Sequence, residues 1–339
     1  MTPLDARYAG CLIGQALGDA LGFLVEGHDA AACGRFVDTA LRPRRLQGWR
    51  RDEHAFGQYS DDTQLARELA LSLVAQRGFE PADYAARIAA LFEQGRVVGH
   101  GRATELAAAR LRQGVPWHEA GTPAPAAGNG SAMRAAPLGL WFAHDLAALA
   151  AAAQAQGRIT HADPRCAAGA IAIAGAAGHA LAEGLGDADL LCTRLADATR
   201  ALDPALSGAL RELPAWSRLP PRRAYAQIAA VGVSPAYADG WPGISPFVTP
   251  SVLWSLYAVL HSPDDYVETV CTAIAVGGDV DTTAAMAGAI SGAANGLGAV
   301  PADLAAQLTD RGTWGHAELL ELACRLRQAQ GGSAGGGGR

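Results

Sequence analysis

The 339-residue chain is half apolar by count and carries a formal net charge of −6, enough sequence to bury a sizeable core within one domain. That balance excludes a general affinity for nucleic-acid backbone or an anionic membrane surface, which would need clustered Lys and Arg. The N-terminus MTPLDARYAG has no basic segment followed by a long apolar run, and no 18-residue apolar stretch free of polar residues follows it; a monomeric cytoplasmic protein outside the membrane is expected. Six scattered cysteines (Cys11, Cys33, Cys166, Cys192, Cys271, Cys324) form no CxxC pair and have no His at zinc-ligand spacing, so they read as reduced core thiols.

Taken in chain order, the segment GCLIGQALGDALGFLVEG ends in Glu26, an acid in an apolar loop that serves either as a helix-end charge or as a catalytic carboxylate. Pro43 to Gly57 reads as loop. Tyr59-Ser60-Asp61-Asp62-Thr63-Gln64 then opens an amphipathic helix, QLARELALSLVAQ. YAARIAALFEQ, HDLAALAAAAQAQ, CAAGAIAIAGAAGHALAEGL and HAELLELACRLRQAQ carry apolar residues at helical spacing. Between them, Gly121 to Gly130, Leu219-Pro220-Pro221 and Val231 to Pro250 are loops. The stretch ISPFVTPSVLW is broken as a strand by Pro246 and Pro250, and predicts a helix with Thr249 as N-cap and Pro250 at its first position. Gly277-Gly278-Asp279-Val280-Asp281-Thr282-Thr283 precedes AAMAGAISGAANGLG, a helix poor enough in side-chain bulk for other backbone to approach closely. No fixed-period repeat is present. The expected fold is all-α, a single compact catalytic domain over 1–329, with 330–339 as a disordered Gly-rich tail.

The two acidic clusters carry the chemistry. Either alone is explained by helix capping, because anions are favourable at a helix N-terminus. A cap, however, needs one acid. Asp61 and Asp62 with Ser60, and Asp279 and Asp281 with Thr282, repeat one hard-oxygen donor set over 200 residues apart, the set that Mg²⁺ or Mn²⁺ prefers. Carboxylates converging in a core would repel and take up protons unless cations neutralised them. DVDTT also fits the DxDxT motif of haloacid-dehalogenase-type phosphatases, but that chemistry needs an early strand in a βαβ sheet, which this chain does not pattern. Gly128-Asn129-Gly130-Ser131 has the form of a phosphate or ribose cradle. His161, before another helix, reads more readily as a cap or packed imidazole than as a base.

In this order, GCLIGQALGDALGFLVEG, YSDDTQLA, GNGSAMRAAPLGL, ITHADPR and VGGDVDTTAAMAGAISGA resemble the ADP-ribosylglycohydrolase family over about residues 8 to 300. The resemblance implies that family's orthogonal multi-helix fold and a binuclear Mg²⁺ or Mn²⁺ centre. Ser60, Asp61, Asp62, Asp279, Asp281 and Thr282 would be its ligands, with Asp281 bridging. It further implies that Glu26 sits on the loop covering the substrate as an acid/base, that Asp61 or Asp62 helps position a water, and that Gly128, Asn129, Gly130, Ser131 and His161 hold ADP-ribose. An ADP-ribosylated protein side chain is then the expected substrate, with arginine as the favoured linkage; serine-linked ADP-ribose, its polymers and O-acetyl-ADP-ribose are the alternatives. VVGHGRATELA, where some relatives carry an acid that would receive a guanidinium, offers His100 and no carboxylate before Glu105. A non-catalytic ADP-ribose-binding or structural protein is the rival from another class, and such a protein should have lost some of these acids. A binuclear metallohydrolase acting on a small nucleotide or sugar is the enzymatic rival.

Overall fold

The computed structural model of the chain describes residues 1–233 and 240–333. In chain order its α-helices are α1 (Pro3–Phe23), α2 (Ala30–Phe36), α3 (Asp61–Gln76), α4 (Pro81–Glu93), α5 (Arg102–Arg112), α6 (Ala136–Trp141), α7 (Leu146–Arg158) and α8 (Pro164–Glu183). The second half adds α9 (Ala188–Thr199), α10 (Pro204–Trp216), α11 (Pro221–Ile228), α12 (Val248–His261), α13 (Tyr266–Ala275), α14 (Val280–Asn295), α15 (Ala302–Ala305) and α16 (His316–Ser333). The all-α expectation is met. The only sheet among the described residues is a two-residue pairing of Arg50–Arg51 with His54–Ala55, inside the expected 43–57 loop.

Helix starts follow elementary capping chemistry. Asp29, Asp145, Asp163, Asp187, Asp203 and Asp265 each accept a backbone N–H in the first turn of the helix they precede, satisfying donors that the helix itself leaves open. Proline opens α4, α8, α10 and α11, where its missing N–H costs nothing. One cap falls elsewhere than expected. Helix α12 begins at Val248 behind Phe247, so Pro250 lies past the first position. Thr249 does not cap, because its hydroxyl donates to Asp203 Oδ2 at 2.9 Å and so ties α12 to the start of α10. Helix α16 likewise runs on through Ser333, four residues into the expected tail, and 334–339 lie outside the described residues.

At the centre, α1 and α14 cross at backbone contact. A Cβ at Gly10, Gly14, Gly18 or Gly22 would lie 2.1–2.5 Å from the carbonyl oxygens of Gly292, Gly288, Ala284 and Val280 respectively, closer than any Cβ sits. All four of these positions must therefore be Gly. The close approach foreseen for the Gly/Ala-rich α14 is thus realised against α1, and it brings the N-terminal turn of α14 beside the C-terminal half of α1. Helix α8 is long and apolar enough to cross a membrane by length and composition, yet 89% of its apolar window is buried within the fold.

Candidate active site

Three chain segments meet where α3 and α14 begin. Asp19, buried on α1, accepts the backbone N–H of Ser60 (2.8 Å) and both the N–H and the hydroxyl of Thr63 (3.0 and 2.6 Å), pinning the first turn of α3 so that Asp61 and Asp62 face the cleft. Gly277 and Gly278 adopt φ of 78° and 91°, a region that favours glycine. Gly278 then bonds through both its N–H and its C=O to the loop after α1, donating to His28 O at 2.9 Å and accepting from Gly27 N at 2.8 Å. That backbone pairing delivers Glu26 to the start of α14. Carboxylate oxygens of Glu26, Asp279 and Asp281 lie within 4.8 Å of one another.

Capping accounts for little of this. Ser60 is the N-cap of α3, accepting Asp62 N–H at 3.3 Å, whereas Asp279, at the N-cap position of α14, makes no capping bond. Its Oδ2 instead accepts the side-chain amide of Asn129 at 2.5 Å, and Asn129 also donates to Ser251 Oγ at 2.9 Å. Asp62 Oδ2 receives the hydroxyls of Ser60 (3.0 Å) and Thr282 (3.4 Å). Asp62 Oδ1 is buried without any hydrogen-bond partner, a costly state for a carboxylate oxygen.

Burial pushes the five aspartates Asp19, Asp61, Asp62, Asp279 and Asp281 up. Asp19 and Asp279 rise to about 6, the former drawn back by its Thr63 and Ser60 bonds. Asp61, Asp62 and Asp281 rise further, through burial first and then through the negative charge of their neighbours. Arg134 draws Asp61 the other way. The ion pair closest to the cluster is that of Arg51 with Glu26, at its edge, with Arg51 also donating to Phe23 O at 3.1 Å. An oxygen-rich, buried, anionic site with an orphaned acceptor fits divalent cations of the Mg²⁺ or Mn²⁺ type.

The acids form the floor of a cleft of about 650 Å³, whose walls include Gly99 to Thr104, Thr122, Ala126 to Gly130, Met133, His161, Trp241 and Pro246. Of the residues expected from sequence, Glu26, Asp61, Asp62, Gly128, Asn129, Gly130, His161, Asp279, Asp281 and Thr282 line it together. Ser60 sits just behind, against Asp62. Ser131 does not line the cleft: its buried hydroxyl donates to Cys166 O at 2.9 Å. Within 128–131 the Asn129 N–H is taken, donating to Pro246 O at 2.9 Å. His161 is not a cap, a task done by Asp163. Burial and the Arg134 charge push its imidazole down to about 3, so it stays neutral.

Asp19, Asn129's grip on Asp279, and Arg51 are additions the sequence did not announce. For Asp19 a signal existed: with Gln15 it is the polar pair on an otherwise apolar buried face of α1.

A model of the ADP-ribosylglycohydrolase family matches residues 1–335. The chain is 30% identical to ADP-ribosylhydrolase ARH3 of Homo sapiens over 328 residues, covering 87% of each. It is 28% identical to ADP-ribosylarginine hydrolase Tri1 of Pseudomonas putida over 315 residues, 89% of this chain and 74% of that one. A solved structure described as an ADP-ribosylglycohydrolase-related protein complex superposes with a TM-score of 0.72 at 28% identity, over 97% of this chain and all of the other.

Proposed function

The chain belongs to the ADP-ribosylglycohydrolase family, and from that premise we propose that it hydrolyses, with two divalent cations, the bond joining the anomeric carbon of ADP-ribose to a modified protein side chain. The observation that carries this reading is the floor of the cleft: Asp61, Asp62, Asp279 and Asp281 are all buried and face one another, with Asp62 Oδ1 lacking any partner. A binding or structural protein has no need of so costly an arrangement.

Water adds to the anomeric carbon, the bond to the leaving group breaks, and the electron pair and a proton go to the leaving atom. Ser60, Asp61, Asp62, Asp279, Asp281 and Thr282 would hold the cations, which when bound supply Lewis-acid polarisation and the positive charge that keeps these carboxylates ionised. Asn129 and Ser251 orient Asp279 through the bonds above. Glu26, partly exposed on the loop after α1, is the carboxylate placed to exchange a proton with the substrate. Asp61 or Asp62 orients the incoming water.

On the linkage, the motif resemblance leans to arginine, while one feature of the cleft favours an oxygen-linked leaving group. The rim beside Asp61 is Gly99-His100-Gly101-Arg102, and every carboxylate lining the cleft belongs to the floor or is Glu26. A guanidinium leaving from this site meets Arg102 and no free acid. The deciding experiment incubates the protein with peptides ADP-ribosylated on arginine or on serine, and with O-acetyl-ADP-ribose, in Mg²⁺ or in EDTA. Mg²⁺-dependent release of ADP-ribose from the oxygen-linked substrates is expected. Release from none of the three would overturn the enzymatic reading.

A further inference from the structure

One polar atom on the cleft wall has no protein partner among the described residues. His161, buried to 4% exposure, lines the cleft, and its ring is hydrogen-bonded at Nδ1, which lies 2.8 Å from Thr160 Oγ1. Which tautomer it adopts follows from donor counting. Thr160 Oγ1 lies 2.7 Å from Arg134 Nη2, and a guanidinium can only donate. The hydroxyl therefore accepts there and must place its own proton elsewhere. Thr160 is fully buried, and His161 Nδ1 is the acceptor in reach, so the hydroxyl proton goes to Nδ1 and the ring proton sits on Nε2. The opposite tautomer would strand a buried hydroxyl proton without a partner.

Arg134 is itself immovable. It is fully buried, its Nε donates to Gln156 Oε1 at 2.9 Å and its Nη2 also to Gln156 O at 3.0 Å. Gln156 in turn donates to Ser131 O at 2.7 Å, tying the chain of donors to the 128–131 loop on the cleft wall. Nε2 faces that same loop, for a Cβ at Gly130 or Gly128 would lie 3.1 or 3.4 Å from it. Glycine at these two positions leaves the Nε2–H open to the cleft.

We propose that Arg134 and Thr160 are positioning residues that hold His161 as a fixed Nε2–H donor, and that this proton is given to an acceptor atom of the bound ADP-ribose; the second half rests on the function proposed above. The depressed imidazole pKa agrees, since a ring that does not charge keeps the same donor across working pH. His161 is on this account excluded as a general base.

The free protein labelled with ¹⁵N-histidine is examined at pH 7 by long-range ¹H–¹⁵N correlation, with H161Q to assign the ring. An unprotonated Nδ1 and a protonated Nε2 are expected; an Nδ1–H ring, or a mixture, overturns the proposal. T160V should turn the fixed tautomer into a mixture and weaken ADP-ribose binding by calorimetry about tenfold, the scale of one buried hydrogen bond, while T160S keeps both. Weakened binding in T160V with the tautomer unchanged would show Thr160 to act by packing alone, and so overturn the positioning role. A wild-type protein with the Nε2–H ring that binds no ADP-ribose would refute the proposed function and the ligand half of this inference, and leave the donor chain standing.

Discussion

Helix α3 carries two encounters with buried carboxylates, and the fold treats them oppositely. Three residues past Asp61 the chain meets Asp310, buried to 1%, and surrounds it with Arg67 (Nη1 to Oδ2, 2.8 Å) and Gln64 (Nε2 to Oδ1, 2.9 Å). One turn earlier Asp61 and Asp62 are as deeply buried and have no ion-pair partner among the described residues. Asp310, an acid that serves structure, receives its counter-charge from the chain itself. The four acids of the cleft floor have none among the described residues, and under the function proposed above their cation comes from solution.

Exchange of one acid in each region separates the two cases. Asp281→Asn removes one of the proposed cation ligands, and should lower turnover on the order of a thousandfold. The same change relieves repulsion, so the metal-free protein should gain roughly 1 kcal/mol or more in denaturant unfolding. A variant with wild-type turnover and metal content would sink the scheme. Asp310→Asn should do the reverse at its site. Arg67 then keeps Glu68, 3.0 Å from its Nη2, as its one acid, so the change costs roughly 1–3 kcal/mol whether or not metal is present, and the loss should not change when Mg²⁺ is added.

The pH dependence follows from the sign of the shifts. Asp19 and Asp279 lie at about 6 and Asp61, Asp62 and Asp281 are raised further, so the native metal-free protein binds more protons than the unfolded chain above pH 4. Their contribution is full below the ordinary carboxylate range and is lost as pH rises through 6. Melting in EDTA should therefore fall by a few degrees between pH 5 and pH 8, and the stabilisation by Mg²⁺ or Mn²⁺ should grow over the same interval. A metal-induced shift that is flat with pH would separate the raised acids from the binding site.

How much of this was legible varied with how local the cause is. YSDDT and GGDVDTT announce themselves because paired acids with hydroxyls exceed what a cap requires, and a helix start is a local event. Glu26 was visible as an oddity, but its place beside Asp279 depends on the Gly27–Gly278 and Gly278–His28 backbone bonds, which join loops 250 residues apart. Asp19 was hidden for a similar reason. One acid in GDALG shows its role only when α3 docks its first turn upon it. The glycines of 128–131 mark the segment as a cradle, and Gly128, Asn129 and Gly130 do line the cleft; hidden in the sequence were the room those glycines make for His161, the bond from the Asn129 side chain to Asp279 and the turn of Ser131 away to Cys166. Thr249-Pro250 had the form of a helix start, and tertiary demand overrode it, since Asp203 required that hydroxyl. The reading of α14 as approachable backbone was right, but its partner was not visible until the glycine spacing of α1 was set against it.

The smallest effect expected lies at the seam between the two regions, where a cation supplied by the chain reaches an acid of the unpaired kind. Arg51, on the short strand Arg50–Arg51, pairs with Glu26 while its guanidinium rests 4.7 Å over the Phe23 ring. Both side chains are partly exposed, at 32% and 15%, so solvent weakens the pair. Glu26 is thus shared between Arg51 and the Asp279–Asp281 group, and anything that binds those acids competes with Arg51 for its oxygens. Arg51→Gln should tighten Mn²⁺ binding about threefold by calorimetry, because a competing positive charge is removed, and slightly destabilise the metal-free protein, in which Glu26 then faces Asp279 and Asp281 unopposed. Weaker Mn²⁺ binding in this variant would reverse the assignment, making Arg51 a guide that presents Glu26 to the cation.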